Sequence, residues 1–297
     1  MRTNPIEKRP FWFLLLGVVI ISFSPILVKL SGAPSLKVGF YRNAFALLFL
    51  IPIVLRRKAR WSAGKWTVIL PLIAGTLFFF DLWSWHNAIS LVGPGIATLL
   101  GNFQVFFVAF FALLFLKEQL RFTFIISIPL ALFGVYLIVQ NTGGEKSANI
   151  FGAGLALFAA ACYGVFILVM RKAQSFEQKI SADMNLLYMT LCACGLFALA
   201  MLSRGESFAL SSPKMFFALL ANGFFPHVVG WAIISRCLPL VKASVAGITL
   251  LLQSVLTFVW EVVVFRESFS FLQVAGGLLA IIAIYLGSKA QQQKDSE

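Results

Sequence analysis

The chain has 297 residues, 60% of them hydrophobic and only 12% charged, and its mean hydropathy is +0.92. Soluble domains run at roughly 45–50% apolar and about 25% charged, so this composition cannot build a water-facing surface. The net charge of +13 does not indicate nucleic acid, because Lys and Arg fall in short runs between apolar stretches (Arg56, Arg57, Lys58 and Arg60; Arg171 and Lys172) and not on one solvated face. The four cysteines, Cys162, Cys192, Cys194 and Cys237, lie inside apolar stretches without a C-x-x-C pair, as small buried residues do.

In chain order, the first element is an apolar run over 11–30 that follows Arg2, Lys8 and Arg9. About 20 residues at ~1.5 Å each cross a ~30 Å hydrocarbon core, and a signal peptide would have a shorter core, so this run is expected to be a retained first helix. Nine further spans follow at 38–55, 67–90, 94–116, 121–140, 150–170, 183–203, 213–235, 243–265 and 269–287. None shows period-two alternation, so the expected class is all-α, with ten transmembrane helices and not a barrel. If the N-terminus is cytoplasmic, 17 of the 24 Lys and Arg lie on the inner side and 6 on the outer, with Arg42 inside the second span. The bias sets both termini in the cytoplasm of a multi-pass inner-membrane protein.

The sequence also repeats. At an offset of 149 residues, Gln104 falls on Gln253, Lys117-Glu118 on Arg266-Glu267, Phe122 on Phe271 and Tyr136-Leu137 on Tyr285-Leu286. Two Gln, two basic–Glu pairs and two Tyr at one offset mark a duplication. Five helices per half is an odd number, so the second half enters the bilayer upside down, an arrangement typical of transporters with a substrate site where the halves meet. The expected organisation is a first repeat over 1–140, a polar linker over 141–149, a second repeat over 150–288 and a cytoplasmic tail over 289–297.

On these residues the chain resembles the drug/metabolite transporter superfamily, in its EamA-type branch. The resemblance is carried by 97–118 followed by 120–139, by 246–267 followed by 269–287, by Tyr41-Arg42 and by Lys29 closing the first helix. It implies ten helices in two inverted repeats, a cavity lined by helices 1–4 and 6–9, peripheral helices 5 and 10, and alternating access. The substrates it implies range from amino acids, vitamins and nucleotide-like metabolites to quaternary amines and drugs.

Three ionisable residues lie within spans: Arg42, Asp81 and Glu261. A charge at the bilayer centre costs about 2.5–3.5 kcal/mol on insertion scales, so each is a functional candidate. Three explanations stand: Arg42 pairs with and neutralises an acid, these groups handle substrate or a coupling proton, or they lie near the headgroups. Phe78, Asp81, Ser84, Trp85 and Ala88 share a helical face, and an acid beside a Trp suits an ammonium group; His86 reads equally well as part of an interfacial belt. In the ninth span Thr249, Gln253, Thr257, Trp260 and Glu261 form a second polar face, with interhelical hydrogen bonds the simplest role for the threonines. His227 and Trp231 are i, i+4 neighbours, with Pro226 and Gly230 able to loosen the helix around them. Asn185, Tyr188 and Cys192 share one side of the seventh span, and Asn102 and Gln104 add polar groups in the fourth. Glu118 and Glu267 are expected to cap the short helices that follow them.

The expected substrate-binding set is therefore Asp81, Trp85, Gln104, His227, Trp231, Gln253 and Glu261, with Arg42, Asp81 and Glu261 as ion-pair or coupling groups. No phosphate loop, H-E-x-x-H or metal-spaced cluster occurs, so neither a cofactor nor a metal is expected. The expected function is secondary or facilitative transport of a small organic metabolite, an amino acid or amine-containing zwitterion or cation. Vitamin or nucleoside-like substrates are the alternative; a highly charged phosphate is disfavoured, since only Arg42 and His227 stand where they would attract an anion. An intramembrane hydrolase using Asp81 and His86, or a non-transporting scaffold, is the other class considered; neither accounts for the repeat.

Overall fold

Proline and glycine set where the helices start and stop. In the computed structural model, which describes residues 9–56, 64–116, 122–142, 145–174, 181–237, 240–241 and 243–294, α1 (Pro10–Ser22) opens on a proline. The ring supplies a preset φ, and its missing N–H is one the first turn would leave unpaired. Pro25 enforces a break at Phe23, after which α2 (Ser24–Ser31) continues to Gly32, whose φ of 60° ends it in the left-handed conformation. Next come α3 (Ser35–Arg56) and α4 (Lys65–Val92). Gly93, at φ 85°, then turns the chain into α5 (Pro94–Gly101). A side chain on Gly93 would be strained by its φ and would meet the Glu261 carboxylate at 2.7 Å. Asn102 and Phe103 donate to Leu99 O and Leu100 O and separate α5 from α6 (Gln104–Leu116). The first half closes with α7 (Phe122–Gln140).

The second half comprises α8 (Lys146–Gln174), α9 (Ala182–Ser203), α10 (Pro213–Asn222), a π-helical stretch over Gly223–Gly230, α11 (Trp231–Cys237), α12 (Ala243–Phe265) and α13 (Phe271–Lys294). Pro226 lies inside the π stretch, where its absent N–H disturbs the i→i−4 ladder. α8 begins at Lys146, inside the segment read as a linker, and the Asn149 amide donates back to Thr142 O at 3.0 Å. Among the described residues the fold is all-helical. Eight segments are long and apolar enough to cross a bilayer, and Thr249–Phe265 and Phe271–Gly287 are shorter apolar helices. Large apolar side chains point outward, Phe122, Val263 and Phe271 among them, as lipid-facing surfaces require.

The helix pairing is symmetric between the halves. α4 lies along α8, and α1 and α2 lie along α10, the π stretch and α11; α3 packs on α9 and α7 on α13. Exchanging α1–α2 with α8, α3 with α9, α4 with α10–α11, α5–α6 with α12 and α7 with α13 leaves this set of partners unchanged. At the α7–α13 contact Gly134 and Gly276 face each other so closely that a Cβ on either would lie 2.6 Å from the other's carbonyl oxygen. Small residues let two helix backbones approach in this way.

Loop contacts close one end of the bundle. Lys37 donates to Ala209 O at 2.9 Å, Tyr41 to Phe208 O at 2.5 Å, and Gln273 to Thr142 Oγ1 at 3.3 Å. The segments 32–34, 141–142, 204–212 and 266–270 therefore share this end. Their basic neighbours, Lys29, Lys37, Lys146, Arg204, Lys214 and Arg266, are the six assigned by charge to the outer side.

Candidate functional site

Arg42 is the centre of the site. α3 carries it into the bundle, where it is 5% exposed. Its Nε donates to His227 Nδ1 at 3.3 Å, its guanidinium lies 5.8 Å from the Trp85 ring, and its Nη1 has no protein partner. Because Nδ1 accepts this bond, neutral His227 carries its proton on Nε2, a donor that is also unpartnered. Asp81 lies within Coulombic range of Arg42, Tyr163 and Cys162, yet no carboxylate comes within 4.0 Å of the Arg42 guanidinium among the described residues. The two charges share one region without forming a contact pair.

The neighbourhood is rich in polar atoms that lack protein partners. Besides Arg42 Nη1 and His227 Nε2, they include Asn43 Oδ1, Ser84 Oγ, Asn222 Nδ2 and both ring nitrogens of His86. Each buried unpaired group costs about 1–3 kcal/mol, and a packed structural core does not accumulate them. Asn222 is held by Ser24, whose hydroxyl donates to Asn222 Oδ1 at 2.7 Å, so α2 and α10 position it from both halves.

Beside His227 a cavity of about 890 Å³ runs between α3, α4, α8, α9 and the π stretch with α11. Its walls include Phe78, Tyr163, Phe166 and Trp231, and at its far end Asp183 and the exposed Arg236 meet solvent. That volume fits a small metabolite, and the lining has the mixture usual in binding pockets: aromatic walls and a few fixed polar groups. The π stretch places His227 at the inner end of this cavity, with Arg42 on its other ring nitrogen.

The expected site residues separate into groups. His227 and Trp231 line the cavity, while Asp81 and Trp85 adjoin Arg42 behind it. Gln104 starts α6 and Gln253 lies on α12, half-buried, and neither lines the cavity. Glu261 does not share the Arg42 site. It is 3% exposed at the closed end, where Oε1 accepts from Lys29 Nζ at 3.2 Å and Oε2 from the Gly95 N–H at 2.7 Å. Lys29 also reaches Glu267 at 3.1 Å. Glu267 thus ties α2 to the loop after α12, and the cap of α13 comes instead from Ser270 and Gln273, each bonding the other's backbone N–H. Glu118 and Lys117 lie outside the described residues. The polar face of α12 packs on α1: Thr257 donates to Ser22 O and Trp260 to Ser22 Oγ. Sequence reasoning missed Tyr163 and Asn222, which stand in otherwise apolar runs and carry no spacing signal.

An all-helical bundle of apolar spans, doubled internally and enclosing a charged, aromatic-walled cavity, defines a membrane transporter of a small substrate. The EamA-like transporter family matches at residues 9–140 and again at 150–288, and the chain belongs to that family. It is 22% identical over 274 residues to an uncharacterized transporter of Archaeoglobus fulgidus, covering 90% of this chain and 93% of the relative. A protein of known crystal structure shares the fold at a TM-score of 0.66 with 16% identity, covering 97% of this chain and 99% of that one. Family and relative point to a transporter, not an enzyme.

Proposed function

We propose that the chain is a secondary or facilitative carrier of ten transmembrane helices in two inverted repeats, with both termini cytoplasmic, and that it moves a small zwitterion of amino-acid type. The observation that carries this reading is a pair of opposite charges, buried Arg42 and partly buried Asp81, which share one region without an ion pair within 4.0 Å. A zwitterion answers both charges at once. Its carboxylate takes Arg42 Nη1 and the His227 Nε2–H, and its ammonium takes Asp81 beside the aromatic face of Trp85. The apolar remainder of the solute lies against Phe78, Phe166 and Trp231. A metabolite with only one charge leaves the other centre unanswered in low dielectric.

Access alternates between the ends. The cavity reaches solvent at Arg236, and the Lys29–Glu261–Glu267 cluster shuts the opposite end, so this conformation is open to the cytoplasm on the charge-derived topology. Asp81 is also the acid placed to carry a coupling proton. Purified protein in sealed proteoliposomes, supplied with a panel of labelled amino acids with and without a pH gradient, tests the reading. Wild-type protein accumulates or exchanges an unmodified amino acid, and Asp81→Asn inserts normally but does not. Chemical conversion of the solute, or transport undiminished in Asp81→Asn, overturns it.

A further inference from the structure

A second, smaller pocket of about 160 Å³ lies at the closed end, apart from the main cavity, and its polar lining is Lys29, Ser35, His86 and Ser90. By volume it holds roughly five waters, or one carboxylate-sized group with its hydration. His86 is 1% exposed, and neither ring nitrogen meets hydrogen-bond geometry, although one edge of the ring faces the Ser35 backbone. The ring adjoins Trp85 at 5.6 Å and lies within Coulombic range of Arg42, so His86 separates this pocket from the Arg42 centre. Lys29 Nζ bonds Glu261 and Glu267, lies 4.6 Å from the centroid of the Phe265 ring, and also lines the pocket.

We propose that this pocket is an outer binding station for a carboxylate-sized anionic group, held by Lys29 and His86 one step outside Arg42. The inference rests on the zwitterion reading for its role in transport. The solute's carboxylate passes between two cationic centres with the His86 ring between them. An anion on Lys29 competes with Glu261 and Glu267 for the same ammonium, so filling the station loosens the contacts that shut this end. Glu261 then keeps only the Gly95 N–H.

The test needs no transported substrate. Ala33 lines the pocket and Ser207 is exposed in a loop at the same end. Each is replaced by Cys in a chain whose four native cysteines are serine, and each is reacted with methanethiosulfonates bearing either a sulfonate or a trimethylammonium group. At Ala33→Cys the sulfonate reagent reacts several-fold faster, and acetate slows it; at Ser207→Cys acetate has no effect. Adding Lys29→Gln removes the anion preference, Lys29→Arg retains it, and Lys37→Gln, which changes a neighbouring charge at the same end, leaves it intact. The ratio of the two rates is the readout, so a general opening of the closed end in Lys29→Gln does not obscure it. Equal rates at Ala33→Cys, a preference that survives Lys29→Gln, or acetate protection equal at both positions overturns the station. If preference and protection hold while no amino acid moves in proteoliposomes, the zwitterion reading falls and the station stands; the reverse pair removes the station alone.

Discussion

Arg42 makes three kinds of contact that a point charge cannot make together: an Nε bond to His227, a face over Trp85 and an Nη1 left for a ligand. Lys keeps the charge but not the planar fork, so Arg42→Lys is not conservative here. It is expected to raise KM for the transported solute by about tenfold or more, the factor that about 1.4 kcal/mol represents. Expression and thermal stability stay near wild type, and uptake kinetics against melting of the purified protein separate the two effects. Asp81 answers a different question. If it only neutralised Arg42, Asp81→Asn would leave a buried charge unpaired, and adding Arg42→Gln would restore stability and transport. With no ion pair inside 4.0 Å, the expected result is that the double variant stays as inactive as either single one. Both residues stood out in the sequence because a charge in an apolar run is costly. The partner of Glu261 did not, because Lys29 ends a span and reads as an ordinary interfacial lysine until α2 and α12 are brought together.

The eight helices long and apolar enough to cross a bilayer lie within a few residues of spans read from the sequence, because lipid demands continuous apolar runs, and the interruptions inside them were less legible. The π stretch is foreshadowed by Pro226 and Gly230 and the break at Phe23 by Pro25, whereas the break at Asn102–Phe103 carries no proline. The positive φ of Arg266, 57°, has no sequence signal at all. It ends α12 with an N–H bond to Val262 O at 2.9 Å and leads into Glu267, in a conformation that glycine adopts without strain. Arg266→Gly is therefore expected to stabilise the protein by up to about 1 kcal/mol, read as a higher melting temperature. The opposite sign is expected at α7–α13, where Gly134 and Gly276 leave no room for a side chain. Gly134→Val forces the two helices apart, at a cost of about 1–3 kcal/mol. A melting temperature unchanged by Gly134→Val would show that this contact does not hold the helices at their spacing.

At the scale of the whole molecule, the repeat was readable from two Gln and two basic–Glu pairs, but the conformational state was not, because it depends on which end has its contacts made. The closed end joins α2, α5, the loop after α12 and α12 itself through two carboxylates and one ammonium. The other end presents Arg236 and the cavity to solvent. Arg56→Cys and Ser207→Cys, both exposed, should react with an impermeant thiol reagent from opposite faces of sealed vesicles. Phe166→Cys, in the cavity wall, should react from the Arg56 face. Glu261→Gln then tests whether the ion cluster sets the balance between states. The amide keeps an acceptor for the Gly95 N–H and loses the charge that holds Lys29. A partly buried ion pair of this kind is worth on the order of 1 kcal/mol, which shifts a two-state population about fivefold. In Glu261→Gln the rate at Phe166→Cys should fall from the Arg56 face while Ala33→Cys becomes more reactive from the Ser207 face. On the proposed alternating-access reading both shifts occur together, because one rocking equilibrium would expose one end as it covers the other; reactivity rising at Ala33 with no change at Phe166 would mean the cluster fastens only its own loop.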